Sequence, residues 1–146
     1  MNEIYINAEG HILGRLASHV AKLLLEGNKV YVVNAEKIII TGKWKTVLEE
    51  WRHKILERGD WIKGPFYPKR PERIFRRVVR GMLPKNSKGR SAMKNLKVYI
   101  GVPEEFLNMQ FISFKDSLIY EKIKNSKRKI WYVELGTISK HLGAKF

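Results

Sequence analysis

Hydrophobic residues recur with helical spacing near the start of the chain. They fall at the i, i+3, i+4 and i+7 positions of an amphipathic helix that begins at about Ile12 and stops at Gly27-Asn28: Leu13, Leu16, Ala17, Val20, Ala21 and Leu24. A short apolar run, Ile4 to Ile6, precedes this helix, and a continuous one, Val30 to Val33, follows it. A continuous run of β-branched and aromatic residues is typical of a strand buried on both faces.

The later elements continue this alternation of strands and helices. The apolar pattern predicts a strand at 38–40, helices at 43–58, 73–82 and 91–96, a strand at 97–101, a helix at 116–124, a strand at 130–135 and a helix at 138–142. Gly136-Thr137 is the predicted cap of the last helix. The order of elements predicts an α/β fold with right-handed crossovers.

The helix predicted from Arg73 to Met82 separates apolar from basic residues. At roughly 100° per residue, one side carries Ile74, Phe75, Val78, Val79 and Met82. The opposite side carries Arg73, Arg76, Arg77 and Arg80. Because like charges at this spacing repel, four arginines without a carboxylate among them indicate a polyanionic partner. Gly81 and Pro84 are predicted to end the helix, and the chain then adds Lys85, Lys88 and Arg90.

Positive charge is concentrated around this helix. The chain carries 29 Lys and Arg against 14 Asp and Glu, a net charge of +15. Ten basic and two acidic residues lie between Asp60 and Arg90, so about half of the excess falls in this part of the sequence. Such a balance favours nucleic acid as the partner, with an anionic membrane surface as the competing interpretation. No run approaches the roughly 18 apolar residues of a membrane span.

A basic, proline-led excursion is predicted at about residues 59–96 of a single domain, 1–146. Its first part contains Gly64, Pro65, Pro68 and Pro71, which predict an irregular loop. Three aromatic residues of this loop can stack on bases or pack against the domain: Trp61, Phe66 and Tyr67. The later triplet Lys127-Arg128-Lys129 is either a solvated loop or a second contact with the same polyanion.

Candidate chemistry elsewhere is sparse. Gly10 and Gly14 lie between a strand and a helix, with Arg15 near the helix N-terminus, but the full G-x-G-x-x-G pattern is missing. Thr41-Gly42-Lys43 has neither the earlier glycine nor the following Ser or Thr of a phosphate-binding loop. The four histidines are scattered, and there is no cysteine. We predict no catalytic, cofactor-binding or metal-ligating residue; a small α/β enzyme that binds a nucleotide or phosphorylated substrate is the alternative.

Several linked motifs then identify a family. They are Leu13-Gly14-Arg15-Leu16-Ala17-Ser18, Val32-Val33-Asn34-Ala35-Glu36, Ile40-Thr41-Gly42, Gly64-Pro65, Arg80-Gly81-Met82-Leu83-Pro84, Lys88-Gly89-Arg90, Leu96-Lys97-Val98-Tyr99 and Leu135-Gly136-Thr137-Ile138. In this order, over nearly the whole chain, they resemble the universal large-ribosomal-subunit protein family conventionally numbered thirteen. The Gly64-Pro65 lead-in and the arginine-rich segment from Arg73 to Pro84 resemble its archaeal and eukaryotic members. An end at Phe146 without the long helical extension of the eukaryotic members favours an archaeal member.

The resemblance implies a three-layer α/β/α fold with a mostly parallel four-stranded sheet. It also implies a cytoplasmic, structural role in the large subunit, without catalysis or cofactor: binding large-subunit ribosomal RNA beside neighbouring ribosomal proteins and supporting assembly. Neither a membrane partner nor an obligate homo-oligomer is expected. The predicted RNA-binding residues are Arg15, Lys43, Lys69, Arg70, Arg73, Arg76, Arg77, Arg80, Lys85, Lys88, Arg90, Lys127, Arg128 and Lys129. Reversing the charge of Arg76 and Arg77 together is expected to weaken RNA binding without unfolding the domain.

Overall fold

The computed structural model describes residues 2–57 and 68–146. The loop aromatics Trp61, Phe66 and Tyr67 therefore lie outside the described residues. The strands are β1 (Glu3–Asn7), β2 (Lys29–Val33), β3 (Ile39–Thr41), β4 (Leu96–Val98) and β5 (Tyr132–Glu134). The α-helices are α1 (Leu13–Leu25), α2 (Trp44–Arg52), α3 (Pro71–Met82), α4 (Ser87–Met93), α5 (Ile119–Asn125) and α6 (Leu135–His141). The predicted mixed α/β class is confirmed.

A parallel sheet with the order β1-β2-β4 forms the centre of the fold. Tyr5 of β1 lies opposite Tyr31 of β2, which lies opposite Lys97 of β4. Val32 and Val33 of β2 point to opposite faces of the sheet, and both are buried, as expected for a parallel strand covered on both faces.

The described residues place three strands in this sheet, where the resemblance implied four. Two of the predicted strands instead pair with each other: β3 and β5 form an antiparallel ladder in which Ile40 lies opposite Val133. At the other edge of β1, Ile112 makes only an isolated parallel bridge to Ile6.

Helix α1 agrees with its predicted pattern. The six residues predicted for its core stripe are the six buried ones: Leu13, Leu16, Ala17, Val20, Ala21 and Leu24. Helix α3 packs against α1 and against β4, and its Ile74, Phe75 and Val79 are buried. Met82, which was predicted on the same stripe, is instead 43% exposed, because the last turn of α3 reaches the rim of the α1 contact, beside Lys22 and Leu25.

Several predicted boundaries were wrong, each for a local reason. Helix α2 ends at Arg52, and a π-helical turn, His53–Glu57, follows it. Helix α3 begins at Pro71 rather than Arg73, because proline is tolerated in the first turn of a helix. Its predicted end at Met82 is correct, although Gly81 lies inside the helix, because Leu83 is extended, as residues before a proline usually are. Helix α4 begins at Ser87 rather than residue 91, because the Asn86 side chain accepts a hydrogen bond from the Gly89 N–H.

The predictions near the C-terminal end also need correction. A 3₁₀ turn, Lys115–Ser117, precedes α5, so the predicted helix at 116–124 is two elements. Gly136, predicted as a cap, lies inside α6. A Cβ atom at Gly136 would lie 2.8 Å from the Cβ and main-chain oxygen of Glu36, so this glycine lets α6 approach the turn Ala35–Lys37 closely.

Candidate nucleic-acid interface

The arginines of helix α3 differ in burial. Pro71 occupies the first turn, where it costs no helical hydrogen bond, and Arg70 before it is extended. Arg73 and Arg80 are exposed, whereas Arg76 and Arg77 are half-buried. The arginine face is therefore not a uniform solvent-exposed surface, because its two central residues lie partly within the fold.

A basic cleft separates the C-terminal half of α3 from α4. Its volume is about 590 Å³, and its walls include Leu83, Pro84 and Met93. Five cationic side chains line it: Arg76, Arg77, Arg80, Lys85 and Arg90. No carboxylate lines it among the residues that the structure describes. Guanidinium groups donate paired hydrogen bonds that match phosphate oxygens, so the cleft is suited to a phosphate backbone.

The two walls of the cleft are held by a close backbone approach. A Cβ atom at Gly89 would lie 1.8 Å from the main-chain oxygen of Pro84, so only glycine fits there. The Asn86 cap fixes the start of α4 in the same place. This contact places Lys85 and Arg90 across from the arginines of α3 and thereby builds the concave shape.

Arg76 has a structural partner that the sequence did not reveal. Its guanidinium Nη1 donates a hydrogen bond to the main-chain oxygen of Leu96, at the start of β4. Arg76 therefore joins α3 to the central sheet as well as lining the cleft. Replacing Arg76 and Arg77 together would therefore change folding and binding at once and would not separate the two effects.

The remaining predicted residues of the excursion lie outside the cleft. Arg73 and Lys88 are exposed but do not line it. Arg70 Nε donates to Glu72 Oε1 at 2.6 Å, and its Nη1 donates to the main-chain oxygen of Lys145 at 3.0 Å. The main-chain oxygen of Lys69 accepts a hydrogen bond from the Ser139 hydroxyl. Lys69 and Arg70 thus connect the start of α3 to the C-terminal segment.

Arg15 is engaged away from the cleft residues. Its Nη1 donates to the main-chain oxygen of Asp116 at 3.0 Å. Beside it, His19 Nε2 lies 3.0 Å from Asp116 Oδ1, and the His19 ring stacks on Phe114 with centroids 4.3 Å apart. Partial desolvation acts to raise the pKa of Asp116, but hydrogen bonding and charge from His19 outweigh it and lower that pKa. Arg15 therefore anchors the turn Lys115–Ser117 to α1.

Lys43 and the basic triplet meet around a tryptophan. Lys129 Nζ lies 4.1 Å from the Trp131 ring centroid, and Lys43 Nζ lies 5.9 Å from it. Lys127 and Arg128 are exposed on the same segment. Sequence reasoning missed Trp131, although an aromatic residue two positions after three consecutive cations was a readable signal.

The turn between β1 and α1 does not offer a phosphate cradle. Each main-chain N–H group of this turn already has a partner within the protein. That of Glu9 donates to Asn7 Oδ1, and that of Gly10 to the main-chain oxygen of Lys37. Those of His11 and Ile12 donate to the main-chain oxygens of Ala8 and Ser117 respectively. A phosphate-binding loop needs such groups to face the ligand. Across residues 2–57 and 68–146, no cluster of His, Asp and Glu is arranged to hold a metal ion. The nucleotide-binding alternative thus has no support at its predicted loop.

The chain is similar to known ribosomal proteins. The family model described as ribosomal protein L13 matches residues 1–105. The large ribosomal subunit protein uL13 of Archaeoglobus fulgidus is 49% identical over 139 residues, covering 94% of this chain and 86% of that protein. Those of Methanopyrus kandleri and Methanosarcina barkeri are 50% and 49% identical, over 94% and 97% of this chain and 85% and 98% of their own lengths. Because the family model matches most of this chain, and these relatives are about half identical to it over nearly its full length, the chain belongs to the ribosomal protein L13 family.

Proposed function

We propose that the protein is a structural constituent of the large ribosomal subunit, binds large-subunit ribosomal RNA through the basic cleft, and supports subunit assembly. The observation that carries this proposal is the set of five cations around one cleft without a carboxylate among the described lining residues. Each phosphate that such cations neutralise releases counterions, which favours binding. Family membership supports a structural, non-catalytic role in the cytoplasmic ribosome.

The cleft favours a defined RNA shape over any polyanion. The close contact of Gly89 with Pro84 fixes α4 beside the end of α3, and the hydrogen bond of Arg76 to Leu96 ties α3 to the sheet. Phosphate contacts made from a rigid surface set register and orientation on the RNA. RNA helices are recognised mainly by shape and by their backbone, and a concave, prearranged set of cations is suited to that kind of recognition.

The proposal includes the organisation of the chain. Residues 1–146 act as one domain with a basic excursion at about 59–96, and the fold is three-layered around four strands. The bridge between Ile6 and Ile112 supports a fourth position beside β1. The predicted contacts of Arg15, Lys69, Arg70, Arg73 and Lys88 with RNA belong to the same proposal, as secondary contacts outside the cleft.

Protein neighbours are proposed at a different surface. Leu107, Met109 and Ile112 are 63%, 41% and 40% exposed, and they follow the exposed carboxylates of Glu104 and Glu105. A region with exposed apolar side chains and two acids repels phosphate and is suited to a protein contact. None of the helices in the described part of the chain is long and apolar enough to cross a membrane.

Charge reversal at the exposed rim of the cleft tests this function. The variant Arg80→Glu with Arg90→Glu changes two exposed cleft residues, and Lys29→Glu with Lys97→Glu makes the same charge change on exposed strand residues. Filter binding to large-subunit ribosomal RNA is measured over a salt series. We expect the cleft variant to bind at least about tenfold more weakly, with its salt slope reduced by about two.

Sucrose-gradient fractionation gives the second measurement. The control variant should enter large subunits as the wild type does, whereas the cleft variant should remain near the top of the gradient. Equal loss of binding in both variants would mean that total charge, and not the cleft, determines binding. Normal incorporation of the cleft variant would contradict the proposal.

A further inference from the structure

We propose that Trp131, with Lys43 and Lys129, forms a second RNA site that stacks an unpaired base. The inference rests on the proposed RNA-binding function and adds a ligand of different chemistry, a single-stranded nucleotide instead of a phosphate backbone alone. It starts from the exposure of Trp131, which leaves 49% of this large aromatic residue in solvent.

The charged residues around Trp131 in the sequence are all basic. Between residues 122 and 132 the chain has five cations and no acid, and Glu121 and Glu134 mark the two ends of this stretch. Residues 124–129 are exposed. A tryptophan left exposed as part of a protein contact is usually set among apolar neighbours, whereas an aromatic ring among lysines matches sites for single-stranded nucleic acid.

The fold fixes the backbone at Trp131. The Trp131 main-chain oxygen accepts a hydrogen bond from the Gly42 N–H at 2.8 Å, next to Lys43. Trp131 directly precedes β5, whose Tyr132 lies opposite Thr41 of β3. Lys43 and Trp131 thus come from segments 88 positions apart that the antiparallel ladder brings together. Because the backbone is fixed here, stacking a base on the ring orders only the side-chain torsions of Trp131, which limits the entropy lost on binding.

The two lysines complete a nucleotide site. Their ammonium groups lie 4.1 and 5.9 Å from the ring centroid, within the range of a cation–π contact. Such contacts are weak at exposed positions, and lysine side chains are flexible, so an incoming base can displace an ammonium group from the ring. The displaced lysines then lie beside the phosphates that flank the stacked base.

The test compares substitutions of Trp131 in the full chain with short RNA. The probe is a single-stranded oligoadenylate of about eight nucleotides, with the same length of duplex RNA as a comparison. We expect Trp131→Ala to weaken single-strand binding by about five- to 150-fold, with little change in salt slope, because stacking releases no counterions. Trp131→Phe should retain most of the affinity, and Lys129→Ala should lower the salt slope by about one.

Two controls make the result specific. An oligonucleotide with abasic positions removes the stacking partner, so the wild type and Trp131→Ala should bind it equally. Leu107→Ala removes a 63% exposed apolar side chain that lies close in sequence to Glu104 and Glu105, and it should leave binding unchanged. The main-chain bond to Gly42 does not need the indole, and thermal melting verifies that each variant is folded.

Failure of this inference is distinguishable from failure of the proposed function. If Trp131→Ala binds oligoadenylate as tightly as the wild type, or loses equal affinity for the abasic probe, the stacking site is overturned. In that case the cleft variant Arg80→Glu with Arg90→Glu would still lose ribosomal RNA if the proposed function holds. If neither Trp131→Ala nor the cleft variant weakens RNA binding, both the stacking site and the proposed function are overturned.

Discussion

Arg76 of α3 donates a hydrogen bond to the main-chain oxygen of Leu96, and this bond links the arginine-rich helix to the central sheet. Leu96 is buried, with 1% of its surface exposed. A cation predicted to contact RNA therefore also satisfies a carbonyl of the fold. The finding divides the arginines of α3 into residues whose replacement affects folding and residues whose replacement affects mainly the surface.

Arg76→Ala should destabilise the protein by about 1–3 kcal/mol, because it leaves the Leu96 carbonyl without this partner. Arg73→Ala, on the exposed side of the same helix, should change the free energy of unfolding by less than about 0.5 kcal/mol. Urea unfolding of both variants measures the difference. Equal stability of the two variants would show that the bond to Leu96 contributes little.

Gly89→Ala should destabilise the protein by about 1–3 kcal/mol or more, because the new methyl group would meet the Pro84 main-chain oxygen 1.8 Å away. We also expect weaker ribosomal RNA binding, because α4 must move and carry Arg90 with it. Gly81→Ala is the matched control, since Gly81 lines the same cleft within a helix and a Cβ there meets nothing within 4 Å. That variant should gain about 0.5–1 kcal/mol. Thermal melting measures both variants, and a lower melting temperature for Gly81→Ala than for Gly89→Ala would contradict the packing argument.

Asn34→Ala should cost about 1–2 kcal/mol, because Asn34 has a left-handed backbone with φ of 59° that alanine adopts poorly. Its amide Nδ2 also donates to Asn7 Oδ1 at 2.9 Å, between the ends of β2 and β1. Asn34→Gly keeps the backbone conformation and loses only the side-chain bond, so it should be the more stable of the two variants. Chemical unfolding of both variants separates the backbone cost from the side-chain cost.

His11 should make stability depend on pH. The ring is fully buried, and its Nε2 accepts a hydrogen bond from the Phe114 N–H at 3.0 Å. Burial lowers the pKa of His11, and hydrogen bonds with the main chain of Ala8 and Glu9 oppose that effect only in part. In the unfolded chain His11 takes up a proton near its ordinary pKa of about 6.5. Between that value and the lower folded pKa, the unfolded state binds more protons, so stability is lost as pH falls.

Urea unfolding at pH 7.5, 6.5 and 5.0 measures this dependence. The free energy of unfolding should be level above pH 6.5 and decline below it. In His11→Gln, which does not titrate, the decline should be smaller. Asp116 also has a lowered pKa, but its contribution is lost only at more acidic pH, near and below the ordinary Asp value. An identical decline in wild type and variant would assign the effect to other groups.

Local patterns in the sequence were sufficient for much of the fold. The stripe from Leu13 to Leu24 predicted the buried face of α1 correctly, because helical periodicity depends only on spacing along the chain. The continuous apolar run Val30 to Val33 predicted β2, because β-branched and aromatic residues in such a run favour a strand. The separation of arginines from apolar residues also identified α3 as the centre of a basic surface.

Contacts between distant segments could not be predicted in this way. The pairing of β3 with β5 and the bond from Arg76 to Leu96 depend on which segments meet, and no local spacing records that. The sequence by itself determined the family, the helices and the basic character of the protein. Only the tertiary structure decided that five cations share one cleft and that Lys43 meets Trp131, because packing of distant backbone segments positions those side chains.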